Sequence, residues 1–155
     1  MSCSPEPGQP RELRVERPVA APVETVWRVM TERLPEWFCP RPWRTEVVAL
    51  EWRAGGRFAT VLRGPEGETN AVNGLMLEVT SNRRFVFTDA LTHDFVPQGP
   101  FMIGAFEVSP AGDGTLLSGW ARHWTEEAMQ RHREMGFTDG WAITLNQIAE
   151  LSENG

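Results

Sequence analysis

The segment Glu126 to Leu151 constrains this chain most. It has the spacing of a long amphipathic helix, interrupted by Gly136 and by Gly140 next to Trp141, and it follows at least six strand-like segments. Met129, Gly136, Phe137, Gly140, Trp141, Thr144, Leu145, Ile148 and Leu151 fall on one stripe. Gln130, Arg131, Glu134, Asp139 and Glu150 fall mostly elsewhere. Each glycine inside a helix costs about 1 kcal/mol relative to alanine, so close approach of this helix to a sheet is the expected compensation. A helix that closes an antiparallel sheet with glycines on its inner face is expected to lie as a lid over a cavity.

Residues 1–10 are polar and rich in Pro and Glu. They offer too little apolar surface to offset the entropy of ordering, so a disordered tail is expected there and a single domain over residues 11–153. From Glu12 to Arg17 charged and apolar residues alternate, with Leu13 and Val15 on one face, and Pro18 is expected to end this strand. Ala21-Pro22-Val23-Glu24 opens a helix on which Val23, Val26, Trp27 and Met30 recur at helical spacing, and a short second helix reaches Trp37. After a proline loop at Arg41 to Trp43, strands fit Thr45 to Trp52, Phe58 to Arg63, Ala71 to Val79, Arg84 to Asp89, Phe101 to Ser109 and Thr115 to Trp124. Turns at Ala54 to Arg57, Gly64 to Gly67 and Pro110 to Gly114 join them into an antiparallel meander. Thr125 stands where an N-cap would, with Glu126 and Glu127 near the positive end of the helix dipole.

With 155 residues the chain is long enough to bury one core without staples. Seven Trp and eight Phe with no Tyr put the aromatic content into bulky, mostly apolar rings. A net charge of −6 and the lack of a basic stripe argue against nucleic acid as a partner. Cys3 and Cys39 have no paired spacing and read as reduced thiols. There is no signal-peptide pattern and no apolar run near the roughly 20 residues that cross a bilayer, so no membrane partner is expected and the expected location is the cytoplasm.

The order strand, helix pair, six-stranded meander, long C-terminal helix resembles the START-like helix-grip superfamily. Within it, Ala21-Pro22-Val23-Glu24-Thr25-Val26-Trp27, Trp37-Phe38-Cys39-Pro40, Gly55-Gly56-Arg57-Phe58, Gly64-Pro65-Glu66-Gly67, and Met135-Gly136-Phe137 leading to Gly140-Trp141 are similar to the family named for the activator of the heat-shock protein 90 ATPase. The likeness runs from about Arg11 to Leu151. It implies an α+β helix-grip fold: a curved antiparallel sheet wrapped around a long C-terminal helix, two short helices after the first strand, and an internal cavity between sheet and last helix. It implies no shared catalytic motif. Related helix-grip families bind lipids, hormones or polyketides, and some catalyse cyclisation. The chain departs from the co-chaperone pattern in lacking a separate N-terminal chaperone-binding domain, which weighs against a chaperone role.

If Leu117 faces inward, strand alternation puts Gly119, Ala121 and His123 on the same inner face, where the small residues are expected to leave space opposite the helix. The same face takes Phe58, Thr60 and Leu62, Phe85 and Phe87, and Met102, Gly104 and Phe106. The expected ligand-binding set is Trp37, Phe38, Phe58, Phe87, Met102, Phe106, His123, Phe137 and Trp141, lining an apolar chamber; the alternative is that these rings fill a core at ordinary density. His123 is the polar candidate, able to orient a ligand or exchange a proton, with a hydrogen-bonded structural role as its alternative. His93 and Asp94 lie in a loop that reads either as a gate or as ordinary solvated chain. His132, at the edge of the helix stripe, is expected to be exposed or half-buried. Asp89 and Glu107 would make an acid/base pair only if both faced inward, and strand phase puts Glu107 outside. No metal-ligand spacing, nucleophile elbow or nucleotide-binding glycine loop is present, so neither metal nor cofactor is expected and no catalytic residue is assigned.

Trp52, Trp120 and Trp124 are expected on the outer sheet face, where large rings favour a homodimer; a monomer with the Arg122 stem shielding them is the alternative. The expected function is binding of a small apolar or aromatic molecule between sheet and last helix, without chemistry. A cyclase or hydratase of a polyketide-like or aromatic substrate, built on His123 and a carboxylate, and a co-chaperone-like or stress-response interaction module are the alternatives.

Overall fold

The computed structural model describes residues 11–99 and 102–154. The expected disordered tail, with Cys3, and the expected strand start at Phe101 lie outside the described residues. Seven strands form one antiparallel sheet: β1 Glu12–Val19, β2 Arg44–Leu50, β3 Arg57–Arg63, β4 Thr69–Thr80, β5 Arg84–Thr88, β6 Ile103–Ala111 and β7 Gly114–Arg122, in the spatial order β1-β7-β6-β5-β4-β3-β2. Helix α1 spans Val23–Glu32, a 3₁₀ turn covers Leu34–Glu36, and the chain ends in α2 Glu126–Glu134 and α3 Phe137–Asn154. This is an α+β fold in which an open, curved sheet holds the long C-terminal helix.

Local chemistry accounts for the joints. Thr125 Oγ1 accepts from the amide of Ala128 at 3.0 Å and caps α2. Gly55 and Gly67 take φ of +82° and +90° in the hairpin turns. The last hairpin is tighter than the sequence indicates: Pro110 and Ala111 still pair with Thr115 and Gly114, leaving only Gly112 and Asp113 in the turn. Pro18 does not end β1 but pairs opposite Leu116 within it. β1 is an edge strand, the setting in which a missing N–H is tolerated.

The C-terminal segment is two helices. Gly136 has a φ of +94° and breaks the helical path between them, whereas Gly140 sits inside α3 and donates its amide to the Gly136 carbonyl at 2.9 Å. A Cβ built on either glycine meets nothing within 4 Å. Close approach to the sheet is therefore not the reason for them: Gly136 supplies a left-handed backbone angle, and Gly140 borders open space.

The inner sheet face carries the main core, in which Phe58, Phe85, Phe87, Phe106 and Leu117 pack with Val26, Met30, Trp37, Leu145 and Ile148 of the helical layer. Two long-range bonds tie β1 and its exit to α3: Arg17 Nη1 donates to Asn146 Oδ1 at 2.7 Å, and the Ala20 amide donates to Glu153 Oε2 at 2.8 Å.

On the outer face the tryptophan arrangement differs from expectation. Trp52 follows the end of β2 and turns inward, its ring 5.0 Å from that of Phe85. Trp120 does sit on the outer face with Val86 and Ala105, but only 3% of it is exposed, because the Arg122 guanidinium lies 4.2 Å over its ring. Arg122 in turn donates to Glu12 at 2.9 Å, and Arg14, Glu107, Arg84 and Glu78 continue a lattice of ion pairs across that face. Arg84 holds the Glu78 carboxyl down to about 2. Each exposed pair adds about 0–1 kcal/mol, so the lattice counts more as a cover for apolar surface than as an energy source. Trp124 is the expected outer ring that stays open to solvent, at 47% exposure.

Candidate functional site

A pocket of about 1010 Å³ lies between the inner sheet face, the segment after α1, the loop after β5, and the α2–α3 junction. Its wall is a row of near-parallel rings. Phe58 on β3 stacks on Phe87 of β5 at 4.6 Å between centroids and 6° between planes. Phe87 continues to Phe106 of β6 at 6.4 Å and 9°, and Phe106 to Trp141 of α3 at 5.1 Å and 10°.

Glycines on the strands seat these rings. A Cβ at Gly104 would stand 2.8 Å from Phe87 Cζ, and one at Gly119 would stand 3.1 Å from Trp141 Cε3 and 3.4 Å from Phe106 Cε1. The small residues of the inner face thus do not hold space open, as strand phase alone leads one to expect. They let large side chains sink against the sheet, and the open volume lies beyond those rings.

Of the nine side chains expected at the site, Phe38, Phe58, Phe87, Met102, Phe106, Phe137 and Trp141 line the pocket. Trp37 and His123 do not. Trp37 is fully buried behind Phe38 and Phe106, with Nε1 donating to the Val29 carbonyl at 3.2 Å, and braces the wall from behind. The segment Phe38 to Pro40 is held by Gln147 of α3, which the sequence does not single out. Gln147 Nε2 donates to the carbonyls of Trp37 and Cys39 at 3.1 and 2.9 Å, and its Oε1 accepts from the Arg41 amide at 3.0 Å. Cys39 lines the pocket as a buried free thiol, 3.2 Å from Thr45 Oγ1 and pushed up in pKa by burial.

The loop after β5 meets the pocket through Asp89, Gln98, Gly99 and Met102; His93 and Asp94 are exposed and do not line it. Gln98 Nε2 donates to the carbonyls of Asn73 and Asp89 at 2.8 and 2.9 Å, and Asp89 Oδ1 accepts from the Met102 amide at 3.2 Å. Asp89 therefore faces the pocket while Glu107 pairs with Arg84 outside, so the two carboxylates are on opposite sides of the sheet.

The polar end of the site is a pair of histidines. His132 is not exposed or half-buried as expected from the stripe; it is 6% exposed and lines the pocket. Its Nδ1 stands 2.9 Å from Nε2 of His123, whose Nδ1 stands 3.0 Å from the Arg11 carbonyl. The His132 ring also meets Phe137 and Trp141 edge-on at 5.0 and 6.3 Å. Burial, with the charge of His123 adding to it, pushes His132 down to about 4. Among the described residues no three metal-ligating side chains converge, and no helix is long and apolar enough to cross a membrane.

A family model described as Activator of Hsp90 ATPase homolog 1-like protein matches residues 20–153. The chain belongs to this Activator of Hsp90 ATPase homolog 1-like family. A crystal structure of a Nitrosomonas europaea protein is 39% identical, over 90% of this chain and 92% of that one, with a TM-score of 0.84. A Mycobacterium smegmatis protein is 26% identical over 90% and 89% of the two chains, with a TM-score of 0.75. A Silicibacter pomeroyi protein named AHSA1, 23% identical over 90% and 95% with a TM-score of 0.66, shares the fold. None of the curated proteins matches the chain. Family and architecture together are those of a ligand-binding or Hsp90-ATPase-activator-like module with the START-like helix-grip fold.

Proposed function

We propose that this family member is a cytoplasmic binding protein for a small, mainly apolar aromatic molecule, held between the sheet and the α2–α3 junction without chemical conversion. The observation that carries this reading is the pocket of about 1010 Å³ walled by the Phe58, Phe87, Phe106 and Trp141 row. Its size is at the upper end of small-molecule sites, about 300–1,000 Å³, and its mostly apolar lining with a few polar groups is the usual composition of such sites. Edge and face contacts between a flat ligand and these rings add to the area buried.

Native mass spectrometry of freshly purified protein, set against the denatured mass, tests the reading. A noncovalent excess of a few hundred daltons is the expected result. Bare protein that also takes up nothing from a panel of aromatic compounds overturns it.

A further inference from the structure

Gly140 deepens that reading by setting the shape of the ligand, and it rests on it. The usual grounds for a glycine do not apply here. Gly140 lies inside α3, takes no left-handed angle, and its amide makes the ordinary helical bond to the Gly136 carbonyl at 2.9 Å. Nor does close packing bar a side chain, since among the described residues no atom stands within 4 Å of a Cβ built there. Glycine is a poorer choice than alanine in a helix interior. The position therefore gives up helix stability without gaining a backbone angle or a tight contact within the chain.

What Gly140 does is leave main chain bare in the pocket, which it lines. The neighbouring side chains of α3 that share the pocket are held elsewhere. Phe137 packs on Trp141 at 4.6 Å between centroids, and Trp141 is itself stacked on Phe106 at 5.1 Å and seated against Gly119. Thr144 Oγ1 folds back to donate to the Gly140 carbonyl at 3.0 Å. Gly136, one turn earlier, has no side chain to offer. A helix stripped of its Cβ lets a bound molecule approach the backbone more closely than any other residue allows. A flat ring can meet such a strip across its whole face, with a Cα hydrogen of the glycine directed at its π cloud. A puckered skeleton of the same carbon count touches the strip at a few points and loses dispersion contact wherever a gap opens.

We infer that the ligand carries a planar fused-ring system whose face lies against the main chain of α3 at Gly140. Gly140 is the residue that sets the width and flatness the pocket accepts.

2-Naphthol, decahydro-2-naphthol and phenol, titrated calorimetrically into the full chain and its Gly140→Ala and Gly140→Leu variants, test this. The wild type is expected to bind 2-naphthol about fivefold more tightly than its saturated counterpart, the worth of aromatic contacts beyond area burial. In Gly140→Ala, the substitution the helix tolerates best, 2-naphthol is expected to bind about tenfold more weakly, as overpacking by one carbon produces. Phenol, with one ring fewer, should change by less than about twofold, and Gly140→Leu should weaken 2-naphthol further. A second measurement needs no variant: proton spectra of the wild type are expected to show the Gly140 α-protons shifted upfield by the ring current of 2-naphthol and unmoved by decahydro-2-naphthol. Equal binding of 2-naphthol by wild type and Gly140→Ala, equal binding of the flat and saturated compounds, equal losses for phenol and 2-naphthol, or α-proton signals that stay in place when 2-naphthol saturates the protein each overturn the assignment of Gly140 while leaving the pocket reading standing. Failure of all three compounds to bind the wild type overturns both.

Discussion

His132 Nδ1 and His123 Nε2 are 2.9 Å apart, and the Arg11 carbonyl behind His123 determines which way the proton between them points. In the neutral pair that proton sits on His132 Nδ1. A singly protonated pair carries its added proton on His132 Nε2 whichever ring formally holds the charge.

Acid should weaken the fold through this pair. His132 binds its proton at about 4 in the folded chain against 6.5 ordinarily, so the unfolded chain holds more protons between those values and stability rises with pH across that window. The contribution is fully present above 6.5 and lost as pH falls to about 4, with a size of up to about 3 kcal/mol. His132→Gln keeps a donor for His123 without titrating. Urea unfolding at neutral pH and near pH 4.5 should show the wild type losing more stability than this variant; equal losses would refute the assignment.

The two glycines of the C-terminal segment should respond in opposite directions to alanine. Gly136→Ala places a Cβ on a residue with φ of +94° and should destabilise by about 1–2 kcal/mol although nothing lies within 4 Å. Gly140→Ala sits inside α3 and should stabilise by about 0.5–1 kcal/mol, while its methyl enters the pocket that Gly140 lines. Denaturant midpoints of the two variants check the signs.

Gln147→Leu removes three hydrogen bonds and leaves the carbonyls of Trp37 and Cys39 and the amide of Arg41 without them. A loss of about 2–4 kcal/mol is expected, together with faster hydrogen exchange at the Arg41 amide. A loss below about 1 kcal/mol would show that water replaces the side chain without cost.

Gly119→Val forces the Trp141 ring off the sheet, since even its first carbon would stand 3.1 Å from Cε3. Overpacking of this kind costs about 1–3 kcal/mol, and the displaced ring should take up pocket volume and weaken the uptake of aromatic compounds. Unchanged binding with unchanged stability would mean that the ring row does not need this seat.

Much of the fold was legible because strand alternation has a period of two: Phe58, Phe85, Phe87, Phe106 and Leu117 share the inner face, and Thr125 is the cap it reads as. The histidine pair was not, for a geometric reason. A stripe drawn through one continuous helix carries its phase across Gly136, where the backbone turns at φ of +94° and the phase resets. His132 therefore moves from the edge of the stripe to the pocket wall. Gln147 was missed because a helical glutamine normally faces water, and its three backbone partners come from a loop more than a hundred residues earlier. Trp120 had a local signal: Arg122 is two positions on along a strand, hence on the same face and able to lie over the ring. Trp52 was misplaced because the alternation was carried past Leu50, where β2 ends.

The bond from the Ala20 amide to Glu153 spans 133 positions, and among the described strands β1 pairs with β7 alone. During synthesis the strands β2 to β6 can find their neighbours as they emerge, since each hairpin is local. β1, made before all of them, must wait without this partner until β7 and α3 have been translated. The alternating charges of Glu12, Arg14, Glu16 and Arg17 then keep a waiting edge strand from pairing with other chains before its own partner arrives.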